Sequence, residues 1–175
     1  MKITFRDLAA VSILIALVIP AFGDGWTTNY AKALEESQTE NKPLLLDFTG
    51  SDWCEWCMKM DHETLDTGEF HDFANQNLVL VKVDFPQAKP QSDQLKAQNQ
   101  MLKDKYKISG YPTYVLIGPK GKVRGRQVGY LAGGPKAFIG LLSRWYPAMP
   151  GTGASAGAGD DFDSFFKKPA ASPAQ

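Results

Sequence analysis

The sequence predicts an α/β domain: a central mixed β-sheet flanked by helices on both faces. Three observations predict it. Short runs of apolar, valine- and leucine-rich sequence, LLLDF (44–48), LVLVKVDF (78–85) and TYVLIG (113–118), have the length and character of strands. Segments of helical length, several with an apolar face, separate these runs from one another. The PKGK turn (119–122) joins TYVLIG to KVRGRQVGY as a hairpin. The resulting order is helix, strand, helix, strand, helix, strand, strand, helix, which packs most naturally as a mixed sheet with helices on both sides.

Taken in order, Asp24 to Asn41 reads as a helix with Tyr30, Ala33 and Leu34 on its apolar face, stopped by Pro43. LLLDF is a buried central strand. Thr49-Gly50-Ser51-Asp52 breaks it and supplies capping side chains for a helix that starts at Trp53 or Cys54 and carries CMKMDHETL. GEFHDFANQN (68–77) is a further helical piece, and LVLVKVDF is a strand whose pattern alternates. After the loop PQAKPQ, a polar helix SDQLKAQNQMLKDKY offers Leu95, Met101, Leu102 and Tyr106 for burial. ISGYP interrupts, the hairpin follows, and GPKAFIGLLSRWY closes the domain with Phe138, Leu141, Leu142 and Trp145 on one face.

The 175 residues suffice for one domain with a substantial core. Lysine plus arginine and aspartate plus glutamate number 19 each, with the basic residues scattered, so nothing marks a nucleic-acid surface. No glycine-rich phosphate loop is present. At the N-terminus, Lys2 and Arg6 precede an uncharged apolar run from Leu8 to Ile19 and then Pro20-Ala21-Phe22-Gly23. That pattern matches a secretory signal over residues 1–23 with cleavage after Gly23. The run is short for a bilayer span, which needs about 20 residues; an uncleaved signal would be the one route to a membrane anchor. The expected location is therefore periplasmic or secreted, with the domain occupying residues 24–146. Residues 147–175 are rich in glycine, alanine and proline and are expected to be disordered, with an acidic-aromatic segment, DDFDSFF (160–166), as a solvated stretch or a docking segment for a partner.

The only cysteines, Cys54 and Cys57, lie in WCEWC. An exported compartment permits disulfides. A bridge across so short a loop constrains little of the unfolded chain, so a purely structural role explains it poorly. A strand running into a break and then a helix puts Cys54 at the helix N-terminus, where unpaired N–H groups and the helix dipole favour a thiolate. Cys57 then lies one turn further along the same side, within disulfide reach. In this arrangement Cys54 is the nucleophile and Cys57 the resolving thiol.

LLLDFTGSDWCEWC followed by ISGYPTYVLIGPKGKV resembles the thioredoxin superfamily, especially its exported thiol–disulfide oxidoreductases, and the resemblance runs from about Asn29 to Tyr146. It implies a thioredoxin-like fold, catalysis by Cys54 and Cys57, and no bound cofactor or metal. Tyr111-Pro112 matches the segment whose proline is cis in the family and faces the disulfide, leaving the Tyr111 backbone to pair with a substrate peptide. Asp47 stands where the family has a buried acid beneath the inner cysteine, which would accept the Cys57 proton; the connection from Asp47 to Cys54 is one residue longer here. A strand-end carboxylate paired with a nearby lysine is the alternative for Asp47. Trp53 and Trp56 flank the thiols and offer an apolar rim for peptide substrates. Glu-Trp replaces the Gly-Pro of thioredoxin, and the Glu55 carboxylate opposes the Cys54 thiolate that the helix terminus favours. That favours a reductant or an isomerase-like exchanger over a strong oxidant. The partners implied are protein or peptide thiols and disulfides and a thiol–disulfide redox partner, with a monomer as the default.

Two other readings stay open. Cys54, Cys57, Met58, Met60 and His62 are soft or borderline ligands suited to copper(I). On a helix, however, Met58 and Met60 point about 200° apart, so one is expected in the core and the other at the surface. His62 and His71 are expected to be surface or satisfied residues. The third reading is a non-catalytic binding module of the same fold.

Overall fold

The computed structural model describes residues 25–149. The expected leader, residues 1–23, and the Asp160–Phe166 segment lie outside the described residues. The chain opens with a two-residue strand β1 (Trp26–Thr27), then α1 (Tyr30–Glu40), β2 (Leu44–Thr49), α2 (Glu55–Met60), which runs directly into a π-helical turn (Asp61–Leu65), and α3 (Gly68–Asn77). There follow β3 (Val79–Asp84), α4 (Asp93–Lys105), β4 (Thr113–Ile117), β5 (Val123–Val128) and α5 (Gly134–Trp145). The sheet order is β1-β3-β2-β4-β5. β3 runs parallel to both β1 and β2, and β4 is antiparallel to both β2 and β5. The expected mixed sheet is therefore present.

The first helix is shorter than the sequence suggested. Asn29 caps it, its side chain accepting from Lys32 N–H at 3.0 Å, and the preceding residues pair with β3 as a strand instead. Asn41 ends it in the left-handed conformation. β3 is a central strand with Val79, Leu80, Val81 and Val83 all buried, so it does not have one dry and one wet face.

Side chains alternate across β2. Leu44, Leu46 and Phe48 join Tyr30, Ala33 and Leu102 in a core beneath α1 and α4. Leu45 joins Met60, Phe70, Phe138 and Leu142 in a second core beneath α2, α3 and α5. Asp47 belongs by alternation to this second face. Of the residues offered for burial by α4, Leu102 is buried and Met101 is 53% exposed. Asn99 takes a buried place instead, donating to the Asp84 carbonyl at 2.8 Å. Met149, placed by the sequence in the tail, is buried in the second core. Among the described residues no helix is long and apolar enough to cross a membrane.

Trp145 lies flat on β5. A Cβ built on Gly125 would fall 1.9 Å from the Trp145 ring, so only glycine lets the helix approach. Gly125→Ala is expected to lower stability by roughly 1–3 kcal/mol in urea unfolding. An unchanged midpoint would show that the ring moves aside freely.

Candidate active site

β2 delivers the chain to the end of the sheet, and residues 50–53 carry it to Cys54. The Cys54 N–H donates to the Gly50 carbonyl at 2.9 Å, and its backbone is extended, φ −86° and ψ 100°, as a capping residue requires. Cys54 itself caps α2: its Sγ accepts the Cys57 N–H at 3.2 Å. Thr49, Ser51 and Asp52, expected as caps, do not perform this role; Ser51 bonds to Asp84 at the end of β3 and Asp52 to the loop after it instead. Cys54 and Cys57 are joined in a disulfide with Cα atoms 5.2 Å apart. Both are buried, at 6% and 1% exposure, Cys54 being the more accessible residue. Once reduced, Cys54 has an N–H donor and the start of a helix to stabilise its thiolate.

Asp47 is 1% exposed, and neither carboxylate oxygen has a hydrogen-bond partner. Register puts it opposite Lys82 on β3 and Tyr114 on β4, forming one row across the sheet. The lysine is not its direct partner: Lys82 Nζ lies 3.5 Å from Asp61, the first residue of the π turn. Burial, with the neighbouring charge of Asp61 in the same direction, pushes the Asp47 carboxyl up to about 8 against the pull of Lys82. Asp61 is raised as well, by burial first, although Lys82 opposes this. Burial disfavours the Lys82 charge, but Asp47, Asp61 and Asp66 outweigh it and hold the ammonium above its ordinary value. Three ionisable groups thus share the sheet face that α2 covers, and one of them is a carboxyl poised to titrate near neutrality.

The Tyr111–Pro112 peptide bond is cis, as the resemblance implied. The Pro112 carbonyl is taken by Gly129 N–H at 2.8 Å, whereas among the described residues no hydrogen bond engages the backbone of Tyr111. Two aromatic clusters adjoin the cysteines. Trp53, 40% exposed, packs edge-on against Tyr111 with centroids 5.7 Å apart, and Tyr111 meets Phe85 at 5.4 Å. Lys103 Nζ lies over both the Phe85 and Tyr111 rings. Trp56, 54% exposed, packs on Tyr130 at 5.5 Å, and Lys59 lies over both rings. The Tyr130 hydroxyl donates to Glu63.

The structure therefore gathers Cys54, Cys57, Trp53, Trp56, Tyr111 and Pro112 into one region and adds Phe85, Tyr130, Asp61 and Lys82, which sequence reasoning missed. The one signal for Phe85 was its place at the end of the run LVLVKVDF; its neighbourhood to Trp53 follows from the parallel pairing of β3 with β2. Met60 is buried in the core and Met58 is 44% exposed, as expected for residues on opposite sides of the helix. Trp26 stacks near Phe70 at 6.5 Å, and Trp145 is half-buried against the same core, so neither joins the rim. Among the described residues no group of three or more histidine, cysteine, aspartate or glutamate side chains is placed to hold a metal ion.

A five-stranded mixed sheet with a helix-capping C-x-x-C pair after one central strand and a cis-proline before its neighbour defines the thioredoxin class of thiol–disulfide oxidoreductases. The chain belongs to the thioredoxin-like domain family, which matches residues 30–144. It is 45% identical over 111 residues to the disulfide bond reductase DsbH of Chlamydia pneumoniae, a match covering 63% of this chain and 66% of that one. It is 37% identical over 92 residues to the thioredoxin-related protein DsbJ of the same organism, covering 53% of this chain and 26% of the relative. Among solved structures, a DsbH oxidoreductase superposes with a TM-score of 0.66 at 41% identity, covering 70% of this chain and 84% of that one. A thioredoxin from Thermus thermophilus, at 21% identity and a TM-score of 0.53, shares the fold.

Proposed function

We propose that the protein is exported and reduces or exchanges disulfides in extracytoplasmic proteins, with Cys54 as nucleophile, Cys57 as resolving thiol and Asp47 as proton acceptor. The observation that carries this reading is the Cys54–Cys57 disulfide at the start of α2, on a sheet face that also holds a buried, unpartnered carboxyl. In the reductive direction, the Cys54 thiolate attacks one sulfur of a substrate disulfide and displaces the other as a thiolate, leaving a mixed disulfide. Asp47 takes the Cys57 proton, and the Cys57 thiolate attacks Cys54 Sγ. The Cys54–Cys57 disulfide forms and the second substrate thiolate leaves, two electrons having passed to the substrate. A dithiol partner then returns the two electrons.

Trp53, Trp56 and Tyr111 form the substrate surface. The unpaired Tyr111 backbone offers an N–H and a carbonyl to an extended peptide, and the two indoles offer apolar area beside the reacting sulfur. The basic-apolar N-terminus supports export, and the name of the Chlamydia relative, a disulfide bond reductase, supports the reductive direction. Equilibration in glutathione buffers, read by thiol alkylation and mass, tests the direction. A potential near about −270 mV is expected, and one near about −120 mV would identify an oxidant and overturn it.

A further inference from the structure

Each residue between Gly50 and Cys54 is tied to one stretch, 84–89, made of the last residue of β3 and the loop after it. The Ser51 N–H and hydroxyl donate to the two oxygens of Asp84 at 2.9 and 2.6 Å. The Asp52 carboxylate accepts three successive backbone N–H groups, from Gln87 at 2.9 Å, Ala88 at 2.8 Å and Lys89 at 3.0 Å. Trp53 Nε1 donates to the Phe85 carbonyl at 2.8 Å. Its start is fixed independently: the Phe85 N–H donates to the Thr49 carbonyl at 2.9 Å, and the Asp84 carbonyl accepts from Gln91 and Asn99. Among the described residues, the hydrogen bonds of residues 86–89 are to Ser51 and Asp52 alone. Beyond Phe85 the stretch contains Pro86, is followed by Pro90 and forms no helix or strand, so regular hydrogen bonding does not fix residues 86–89. Convergent N–H groups form a concavity suited to an anion, and here the chain fills it with its own carboxylate.

We propose that Asp52 is a positioning residue for substrate selection, holding segment 84–89 at the spacing that keeps Phe85 and Tyr111 beside Trp53 as a wall for a polypeptide disulfide. This role rests on the function proposed above. The Asp52 carboxylate bonds to loop N–H groups and to neither sulfur, so it acts on where a substrate lies and not on the exchange chemistry. Without it the three N–H groups turn to water and residues 87–89 are released, so the chain beyond Phe85 no longer braces that ring against Tyr111. A small disulfide needs only access to Cys54 Sγ. A polypeptide must also lay its chain along Tyr111 and an apolar side chain against Trp53 and Phe85.

The test compares the whole chain with its Asp52→Ala and Asp52→Asn variants, using insulin and 5,5′-dithiobis(2-nitrobenzoic acid) as oxidised probes. Asp52→Ala is expected to lower kcat/KM for insulin about tenfold to a hundredfold, mainly through KM. Its reaction with the small probe and its Cys54–Cys57 potential are expected to stay at wild-type values. Asp52→Asn keeps one carbonyl acceptor and is expected to fall between; it carries the same comparison if the alanine variant does not fold. Equal losses with both probes, a shifted potential, or no loss with insulin would overturn the assignment. A wild-type protein that reduces neither probe would instead overturn the underlying function, and this role with it.

Discussion

In a Cys57→Ala variant, exchange is expected to stop at the mixed disulfide. Cys54 retains its place at the start of α2 and, as the more exposed residue, still attacks. With the buried partner gone, no thiol remains one helical turn away to displace the substrate. Turnover is expected to fall at least about a thousandfold, while a covalent adduct of substrate mass accumulates on Cys54. Cys54→Ala is expected to lose turnover equally but to form no adduct. Intact-mass spectrometry after mixing with a disulfide-bonded protein separates the two. An adduct on Cys57 in the Cys54→Ala variant would reverse the assigned roles.

Asp47→Asn is expected to change both stability and kinetics, in opposite senses. The folded carboxyl is held at about 8, against 3.8 for the ordinary group. Below about pH 4 the folded and unfolded chains both carry this proton. Between about pH 4 and pH 8 the folded chain keeps a proton that the unfolded chain has lost, so stability falls as pH rises through this window. The raised Asp61 carboxyl acts in the same direction. Lys82, raised above 10.5, contributes only in more alkaline solution. Removing the Asp47 charge is therefore expected to stabilise the oxidised protein by about 2 to 4 kcal/mol at pH 8 and to flatten its pH dependence, as read from urea midpoints at several pH values. The resolving step is expected to slow by about tenfold to a hundredfold. In the wild type that step should accelerate as pH rises towards 8 and Asp47 loses its proton; in the variant this rise should vanish. A variant whose stability and pH–rate profile match the wild type would show that Asp47 neither titrates there nor serves Cys57.

The parts legible in the sequence were those written in local pattern. The apolar run LLLDF could only be a buried strand, PKGK could only be a turn, and the break before Cys54 put that residue at a helix start. The pattern behind the proposed site residues is equally local, since Trp53, Cys54, Trp56 and Cys57 are consecutive or nearly so, and Tyr111-Pro112 precedes a clear strand. What failed depends on contacts between distant segments. β1 is two residues long and exists because β3 offers it an edge, which no local preference encodes. Asp52 looked like a helix cap because aspartate before a helix usually is one, but the loop after β3 presents three N–H groups to it and Cys54 caps the helix instead. Asp61 and Lys82 carried no local signal, since their pairing near Asp47 follows from strand register and from the π turn. Tyr130 lies in the connection between β5 and α5 and meets Trp56 only after the sheet is assembled.

The most direct test of the account is the order in which the two thiols react after reduction of the disulfide. The reduced protein is exposed to a limiting amount of iodoacetamide at neutral pH, and the labelled residue is mapped by peptide mass. A single label on Cys54, the more exposed residue, whose thiol stands at the helix start, is expected, with protection of Cys57. A first label on Cys57, or equal labelling of both, would contradict it.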